Sequence, residues 1–195
     1  MKSTANSMSE VLAGTGWEIY RNLVDAEIAQ TAGQQALQLI ASSSKYIVEQ
    51  STLAPGVEGL DIYRLHAWHP GTYPQHLDTI QADPKEVANN QELIDVHRRF
   101  SKYVSKYVST CFINVYQPSG HTRRHRDRSS EETLAVGLLG NAEARITDPV
   151  TNKTHVFEIN PGDAMHLHNP HRITRRPLHI VTNTSETDLR VSLVE

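Results

Sequence analysis

The chain has 195 residues, of which 38% are hydrophobic, and a mean hydropathy of -0.47, as is typical of a soluble globular protein of about one domain. No apolar run approaches the ~20 residues that span a bilayer, and the polar start lacks the apolar stretch of a secretory signal. The single cysteine, Cys111, rules out an internal disulfide and favours a reducing compartment, so we expect a cytoplasmic location. The net charge of -3 disfavours a strongly basic nucleic-acid binder, and no membrane partner is expected.

The first half of the chain, residues 1–110, contains the helix signals. Asp25 is a typical N-cap, and apolar residues at four-residue spacing up to Ile40 predict a helix after it. A second helix is predicted to begin at Asp83-Pro84-Lys85-Glu86, where a capping residue, a proline and a glutamate occupy favoured positions. Short strands are predicted at 17–20, 46–48 and 60–65, with a loop around 69–74.

From Cys111 onward the pattern changes to short strand-like runs separated by turn signals. The predicted strands cover 112–116, 133–139, 142–147, 155–159, 164–168, 178–183 and 189–194. Many evenly spaced short strands indicate a sandwich or barrel, and helices ahead of them indicate support for one sheet face. We therefore predict an α+β, mainly β, fold: a double-stranded β-helix (jelly roll) with N-terminal supporting helices. A single domain over residues 1–195 is expected, with residues 111–195 as the jelly-roll core.

Histidines are unusually numerous, with 11 in the chain and seven of them from His121 to His179. His125-Arg126-Asp127 forms an H-x-D triplet, and His171 follows the first histidine 46 residues later. Two imidazoles and a carboxylate on one face of a metal leave three positions open, which suits non-haem Fe(II) with a bidentate co-substrate and O2. The triplet alone is weak support, because His76-Leu77-Asp78 repeats it and a charged surface turn would have the same sequence.

Two pairs of polar side chains accompany the triplet on predicted strands. Asn114 and Tyr116 share one face of the strand before it, and Arg190 and Ser192 share one face of the last strand. An arginine can bind a carboxylate with a bidentate fork, and a neighbouring hydroxyl can add a further hydrogen bond. The last strand therefore predicts a site for a dicarboxylate co-substrate.

In order and spacing, these residues resemble the Fe(II)/2-oxoglutarate-dependent dioxygenases, and most of all their AlkB-like branch. The resemblance covers residues 112–194. It implies that Fe(II) is bound, at the catalytic centre, by His125, Asp127 and His171. It also implies that 2-oxoglutarate is bound through its distal carboxylate by Arg190 and Ser192, with Asn114 and Tyr116 assisting. The reaction implied consumes O2 and releases succinate and CO2.

Two departures from the AlkB-like pattern weigh against nucleic-acid repair. The second arginine of that branch would fall just past Glu195, and segments that grip a nucleic acid are not recognisable in residues 1–110. We therefore predict a dioxygenase that hydroxylates a C–H bond of a small polar or anionic molecule. The alternative is an AlkB-like oxidative demethylase of nucleic-acid bases. A further alternative is a cupin-like metal-binding jelly-roll protein, although cupins normally begin with an H-x-H motif.

Residues near the triplet leave further alternatives open. His166 and His168 alternate with a leucine on one predicted strand, and either could replace His171 as the distal ligand. Arg124 and Arg176 belong either to a solvated basic rim or to a site for an anionic group on the substrate. The ring-rich stretch 66–73 is either core or loop, or a lid over the iron.

Overall fold

The computed structural model describes residues 10–42, 49–50, 62–68, 110–122, 124–127, 132–168 and 176–194. Within these ranges the chain forms one α-helix, α1 (Ala26–Ser42), and eleven β-strands. The strands are β1 (Val11–Gly14), β2 (Trp17–Tyr20), β3 (Glu49–Gln50), β4 (Ile62–Trp68), β5 (Thr110–Tyr116), β6 (Thr133–Leu139), β7 (Ala142–Thr147), β8 (Thr154–Ile159), β9 (Ala164–Leu167), β10 (Leu178–Asn183) and β11 (Arg190–Val194).

The strands form two antiparallel sheets. The larger sheet has the order β1-β2-β9-β6-β11-β5-β4-β3, and the smaller sheet has the order β10-β7-β8. Two isolated bridges, His121 to Thr182 and His125 to His179, place these two histidines along the free edge of β10. From β6 onward the chain crosses repeatedly between the sheets, with β6, β9 and β11 in the larger sheet and β7, β8 and β10 in the smaller one, as expected of a jelly roll.

Strand alternation separates two apolar clusters on the two faces of the larger sheet. Trp17 and Ile19 of β2, with Met165 and Leu167 of β9, pack in one cluster with residues of the smaller sheet, including Val181. This cluster fills the space between the sheets, which we call the interior. The other cluster lies on the outer face of the larger sheet, against α1.

Helix α1 begins where the sequence predicts, because the Asp25 carboxylate accepts hydrogen bonds from the backbone N–H groups of Glu27 and Ile28 at 2.9 and 3.3 Å. Its buried face consists of small residues, Ala29, Ala32 and Ala36, which pack against β6 and β11. In the described part of the chain, no helix is both long and apolar enough to cross a membrane.

The predicted fold class is confirmed, and most predicted strands agree with the observed ones to within one or two residues. Strand β1 was not predicted, because it is largely exposed and lacks the alternation that marks a strand with one buried face. The predicted helix from Asp83 and the predicted strand at 46–48 lie outside the described residues.

Candidate metal and carboxylate site

Three side chains that could hold a metal ion converge where the segment 121–127 passes β10. They are His125, Asp127 and His179, whose ligand atoms all lie within 4.8 Å of one another. Asp127 Oδ1 lies 3.4 Å from His125 Nε2 and 3.9 Å from His179 Nε2. Metal bonds of roughly 2.1 Å put neighbouring ligand atoms about 3 Å apart, so a small inward movement would complete a two-histidine, one-carboxylate site.

Backbone pairing holds the two histidines opposite each other. The N–H of His125 donates to the carbonyl of His179 at 3.0 Å, and the N–H of His179 donates to the carbonyl of His125 at 2.9 Å. Thr122 extends this pairing, since its hydroxyl accepts from the N–H of Val181 at 2.8 Å. Because Val181 packs in the interior cluster, His179 two residues earlier on β10 also faces the interior.

The electrostatics favour metal binding at neutral pH. Burial raises the pKa of the Asp127 carboxyl, but the hydrogen bond from His125 and the nearby His179 outweigh it and bring that pKa down to about 2. Burial of the His179 imidazole lowers its pKa to about 4 in spite of the neighbouring carboxylate. Asp127 is therefore anionic and His179 neutral, which are the protonation states that metal ligands require.

Two of the arginines near the triplet have different environments. Arg176 is buried, and its Nη1 lies 4.0 Å from Asp127 Oδ2. Its backbone carbonyl accepts a hydrogen bond from Arg126 Nε at 2.8 Å. Arg124 is exposed, and its Nη2 lies 3.4 Å from the hydroxyl of Thr147. Only Arg124 of this pair is presented to solvent, whereas Arg176 lies beside a candidate metal ligand.

The four polar residues predicted on the first and last jelly-roll strands lie side by side in the larger sheet. Arg190 of β11 is paired with Tyr116 of β5, and Ser192 is paired with Asn114. The guanidinium carbon of Arg190 lies 4.5 Å from the centroid of the Tyr116 ring. Val191 belongs to the outer cluster, so the alternating polar residues face the interior, as His179 does.

This polar group has hydrogen-bonding capacity that the described protein atoms leave unused. Arg190 and Ser192 are 2% and 1% exposed. Within the described residues, Nε and Nη1 of Arg190 and Oγ of Ser192 have no hydrogen-bond partner. Leaving N–H groups of a buried guanidinium without an acceptor costs several kcal/mol, and an anionic acceptor such as a carboxylate would relieve this cost. The residues therefore fit the dicarboxylate that the sequence predicts.

The described residues include two of the three metal ligands predicted from the sequence. His125 and Asp127 lie together, whereas His171 lies outside the described residues and stays a prediction. His179, which was not predicted as a ligand from the sequence, is the histidine that the structure brings to this pair. The one sequence signal for it is its place on the strand predicted at 178–183, two residues before an apolar position, Val181.

His166 and His168, weighed as alternatives for the distal ligand, form a different group. They cluster with Glu18 and not with Asp127. His166 lies between Met165 and Leu167, both of which pack in the interior, so its side chain points to the outer face of the larger sheet. That orientation keeps it away from the interior that His179 faces.

Comparison with known proteins adds information at the level of the fold. No protein-family model matches the sequence, and no curated protein matches it significantly. Among solved structures, a prolyl-4-hydroxylase from Pseudomonas putida matches with a TM-score of 0.57 at 15% identity, covering 94% of this chain and 92% of that one. OsALKBH1 matches with a TM-score of 0.55 at 16% identity, covering 94% and 98%. SnoN, a non-haem α-ketoglutarate-dependent epimerase from nogalamycin biosynthesis, matches with a TM-score of 0.56 at 13% identity, covering 92% and 75%.

These matches confirm the jelly-roll fold that the resemblance implies. One of the three, SnoN, is an α-ketoglutarate-dependent enzyme, and another is an ALKBH1 protein. At this level of identity, what the chain shares with them is the jelly-roll fold over nearly its whole length. Their names cover a prolyl hydroxylase, an ALKBH1 protein and an epimerase, so the same fold accommodates several classes of substrate.

Proposed function

We propose that this protein is an Fe(II)/2-oxoglutarate-dependent oxygenase that hydroxylates a C–H bond of a small polar or anionic molecule. One observation carries the proposal. A buried arginine with unused donors, Arg190, faces the same interior as a histidine–carboxylate group that could hold a metal. Each of these features alone also occurs in proteins of unrelated function. Together they supply both binding functions that this chemistry requires, a metal site with open positions and a clamp for a carboxylate.

We assign the iron to His125, Asp127 and, as the third ligand, His179. The support is the clustering of their ligand atoms and the protonation states described above. His171 remains the alternative third ligand that the sequence predicts. When bound, Fe(II) and 2-oxoglutarate would supply the oxidation of the C–H bond by O2, with release of succinate and CO2.

The chain's own residues would bind and orient the co-substrate. Arg190 would bind the distal carboxylate through its guanidinium, and Ser192 would donate a further hydrogen bond from its hydroxyl. Tyr116, against which the guanidinium packs, would hold Arg190 in one orientation. Asn114, which is opposite Ser192 in the register, would face the bound co-substrate from the same side of the interior. Burial of these groups excludes water that would otherwise compete for the arginine.

We assign recognition of an anionic substrate to Arg124, which is exposed close to the metal group. This arginine precedes His125 directly and is held near Thr147 of the smaller sheet. The test is the Arg124→Gln variant, which should raise KM for an anionic substrate about tenfold or more while leaving the affinity for 2-oxoglutarate unchanged. The matched control is Arg145→Gln, an exposed arginine of β7 that pairs with Glu143. Equal KM values in the two variants would remove Arg124 from substrate binding.

A second candidate function is oxidative demethylation of nucleic-acid bases. It is favoured by the match with OsALKBH1, which covers 94% of this chain and 98% of that protein. A basic surface for a nucleic acid would make binding weaken steeply with salt. Measurement of oligonucleotide affinity between about 50 and 200 mM salt separates the two functions, because a small-molecule enzyme gives no such dependence.

The experiment that tests the proposal is release of succinate from 2-oxoglutarate by the purified chain with Fe(II), ascorbate and O2. A panel of metabolites and methylated oligonucleotides is added afterwards, and the accelerating compound identifies the substrate class. The control is Asp127→Ala, which should abolish turnover. Under anaerobic conditions, Fe(II) and 2-oxoglutarate together should give a visible charge-transfer band that neither gives alone. No succinate and no bound iron would favour the cupin-like alternative.

A further inference from the structure

A second group of side chains that could hold a metal ion lies on the outer face of the larger sheet. It consists of Glu18 of β2, His166 of β9 and His168 just beyond that strand, and their ligand atoms all lie within 4.8 Å of one another. Glu18 and His166 are direct partners in the antiparallel register. The neighbours of Glu18 in sequence, Trp17 and Ile19, pack in the interior, so the carboxylate points outward. This group is therefore separate from His125, Asp127 and His179.

The potential ligand atoms of this outer group lie close enough together to converge on one ion. His166 Nδ1 lies 3.2 Å from Glu18 Oε2, and His168 Nε2 lies 3.9 Å from Glu18 Oε1. The two imidazole centroids are 4.9 Å apart with an angle of 30° between the rings. Bonds of about 2.0–2.2 Å in a tetrahedral site put ligand atoms roughly 3.3–3.6 Å apart, and each imidazole nitrogen lies near this distance from one oxygen of the carboxylate.

Two nitrogens of this group are buried without a hydrogen bond. His166 is 6% exposed, and within the described residues neither its Nε2 nor the Nε2 of His168 has a hydrogen-bond partner. Burying two such imidazole nitrogens together is unfavourable unless something satisfies them. A simple hydrogen-bonded network leaves this cost in place, whereas a metal bound to the Nε2 of His168 removes part of it.

We propose that Glu18, His166 through Nδ1 and His168 through Nε2 form a second metal site, which takes a divalent ion of the zinc type. Two imidazoles and one carboxylate favour Zn²⁺ over Mg²⁺ or Ca²⁺, which prefer oxygen ligands throughout. The Nε2 of His166 lies 3.4 Å from Glu132 Oε2. A metal-bound histidine usually donates its other ring N–H to a carboxylate, and a small movement of Glu132 would let it accept this bond.

The electrostatics of the group agree with this assignment. Burial raises the pKa of the Glu18 carboxyl, but the hydrogen bonds from Tyr20 and His166 outweigh it, and the net shift is downward. Burial lowers the pKa of the His168 imidazole. At neutral pH the carboxylate is therefore anionic and this imidazole neutral, so binding a cation displaces no proton from either group.

Such an ion would tie the hairpin of β1 and β2 to the rest of the larger sheet. Glu18 belongs to this hairpin, whereas both histidines belong to β9 or the residue that follows it. A ligand that binds only the folded chain stabilises it, so Zn²⁺ at about 100 times its Kd should raise the Tm by roughly 5–10 °C.

The experiment is a titration of the metal-free full chain with Zn²⁺ alone, followed by calorimetry, and with Co²⁺ alone, followed by its visible spectrum. It is done in the His125→Ala/His179→Ala background, which lacks the first metal group, so its result does not depend on the proposed oxygenase function. One equivalent should bind with a tetrahedral Co²⁺ spectrum. Adding His168→Gln should weaken binding at least tenfold and abolish the rise in Tm.

Two further variants keep this test decisive. Glu18→Gln retains a hydrogen-bonding side chain of the same shape but loses the anion, and it should also weaken binding at least tenfold even if His168→Gln folds poorly. His155→Gln replaces a histidine of β8 that belongs to neither metal group and should leave binding unchanged. Absence of bound metal in the background variant, or equal binding with and without Glu18→Gln, would overturn the proposal.

Discussion

His125 and His179 exchange a reciprocal pair of backbone hydrogen bonds, and their imidazole centroids lie 4.3 Å apart. The distance between the two candidate ligands is therefore set by main-chain pairing between the segment 121–125 and β10. The side chains need only small rotations to meet at one ion. A site built in this way should remain largely formed without metal, because its backbone pairing does not depend on the ion.

The distal ligand can be assigned by comparing two histidine variants. We expect His179→Ala to lower Fe(II) affinity at least tenfold and to abolish succinate release, because its neutral imidazole is the one that lies beside Asp127. His171→Ala should bind iron as the wild type does. Iron affinity is measured anaerobically by equilibrium dialysis. The reverse result, with binding lost only in His171→Ala, would restore the ligand set predicted from the sequence.

Loss of the buried arginine should affect the co-substrate and spare the metal. In Arg190→Gln, the guanidinium that would bind the distal carboxylate is gone, and the loss of such a buried charge pair costs about 2–4 kcal/mol. The KM for 2-oxoglutarate should therefore rise roughly 30-fold to 1,000-fold, with Fe(II) affinity little changed. Arg145→Gln, on the exposed face of β7, serves as the control. An unchanged KM would contradict the assignment of the carboxylate site.

Asp148 predicts a pH dependence of stability. Its buried carboxylate accepts hydrogen bonds from the N–H groups of Val150 and Thr151 in the turn after β7 and from Thr15 between β1 and β2. Burial raises its pKa, but these bonds outweigh it and bring the pKa from 3.8 to about 2. The stabilisation is therefore complete above about pH 4 to 5 and is lost as the pH falls towards 2.

The corresponding variant is Asp148→Asn, which should lower the free energy of unfolding at pH 7 by about 2 kcal/mol. The difference from the wild type should shrink between about pH 4 and pH 2, as the native carboxyl becomes protonated. Urea denaturation across this pH range is the measurement. Asp25→Asn retains a good helix cap and should cost much less at any pH. A difference that stays constant with pH would show that the charge of Asp148 is unimportant.

Gly162 is constrained by both its backbone and its neighbours. Its φ is 92°, and a Cβ at this position would lie 2.3 Å from the carbonyl oxygen of Val24. We expect Gly162→Ala to cost about 2–4 kcal/mol of stability, measured by thermal or urea unfolding. Asn152→Gly is the control, because Asn152 also has a positive φ, of 57°, and glycine adopts it without strain. Similar Tm values for both variants would be inconsistent with the clash.

The strands and turns of the second half were predictable because the signals there are local. The turn signals Gly140-Asn141 and Asp148-Pro149 lie on either side of β7, so β6 and β7 agree with their predicted ranges to the residue, as β10 also does. The hairpin strand β1 was missed because its burial does not alternate. Local patterns also predicted that Arg190 and Ser192 share a face, since residues two apart on a strand always do.

The partners of the site residues were harder to predict because they depend on the pairing of strands that are distant in sequence. His125 and His179 are 54 positions apart, and nothing local indicates that they become neighbours. The immediate sequence context favoured His171, whereas the register of β10 brings His179 to Asp127. In the outer group, Glu18 and His166 are 148 positions apart in sequence, and only the pairing of β2 with β9 makes them neighbours.

The small residues of α1 bear on how the affinity for the co-substrate and the affinity for the metal can change independently. Ala29, Ala32 and Ala36 pack against the outer side of the strand whose inner side carries Arg190 and Ser192. His179 belongs to the other sheet. A larger side chain in the helix would displace β11 while leaving the histidine pair in place. Mutations far from the site could thus tune co-substrate affinity independently of metal affinity, so the two affinities can evolve separately.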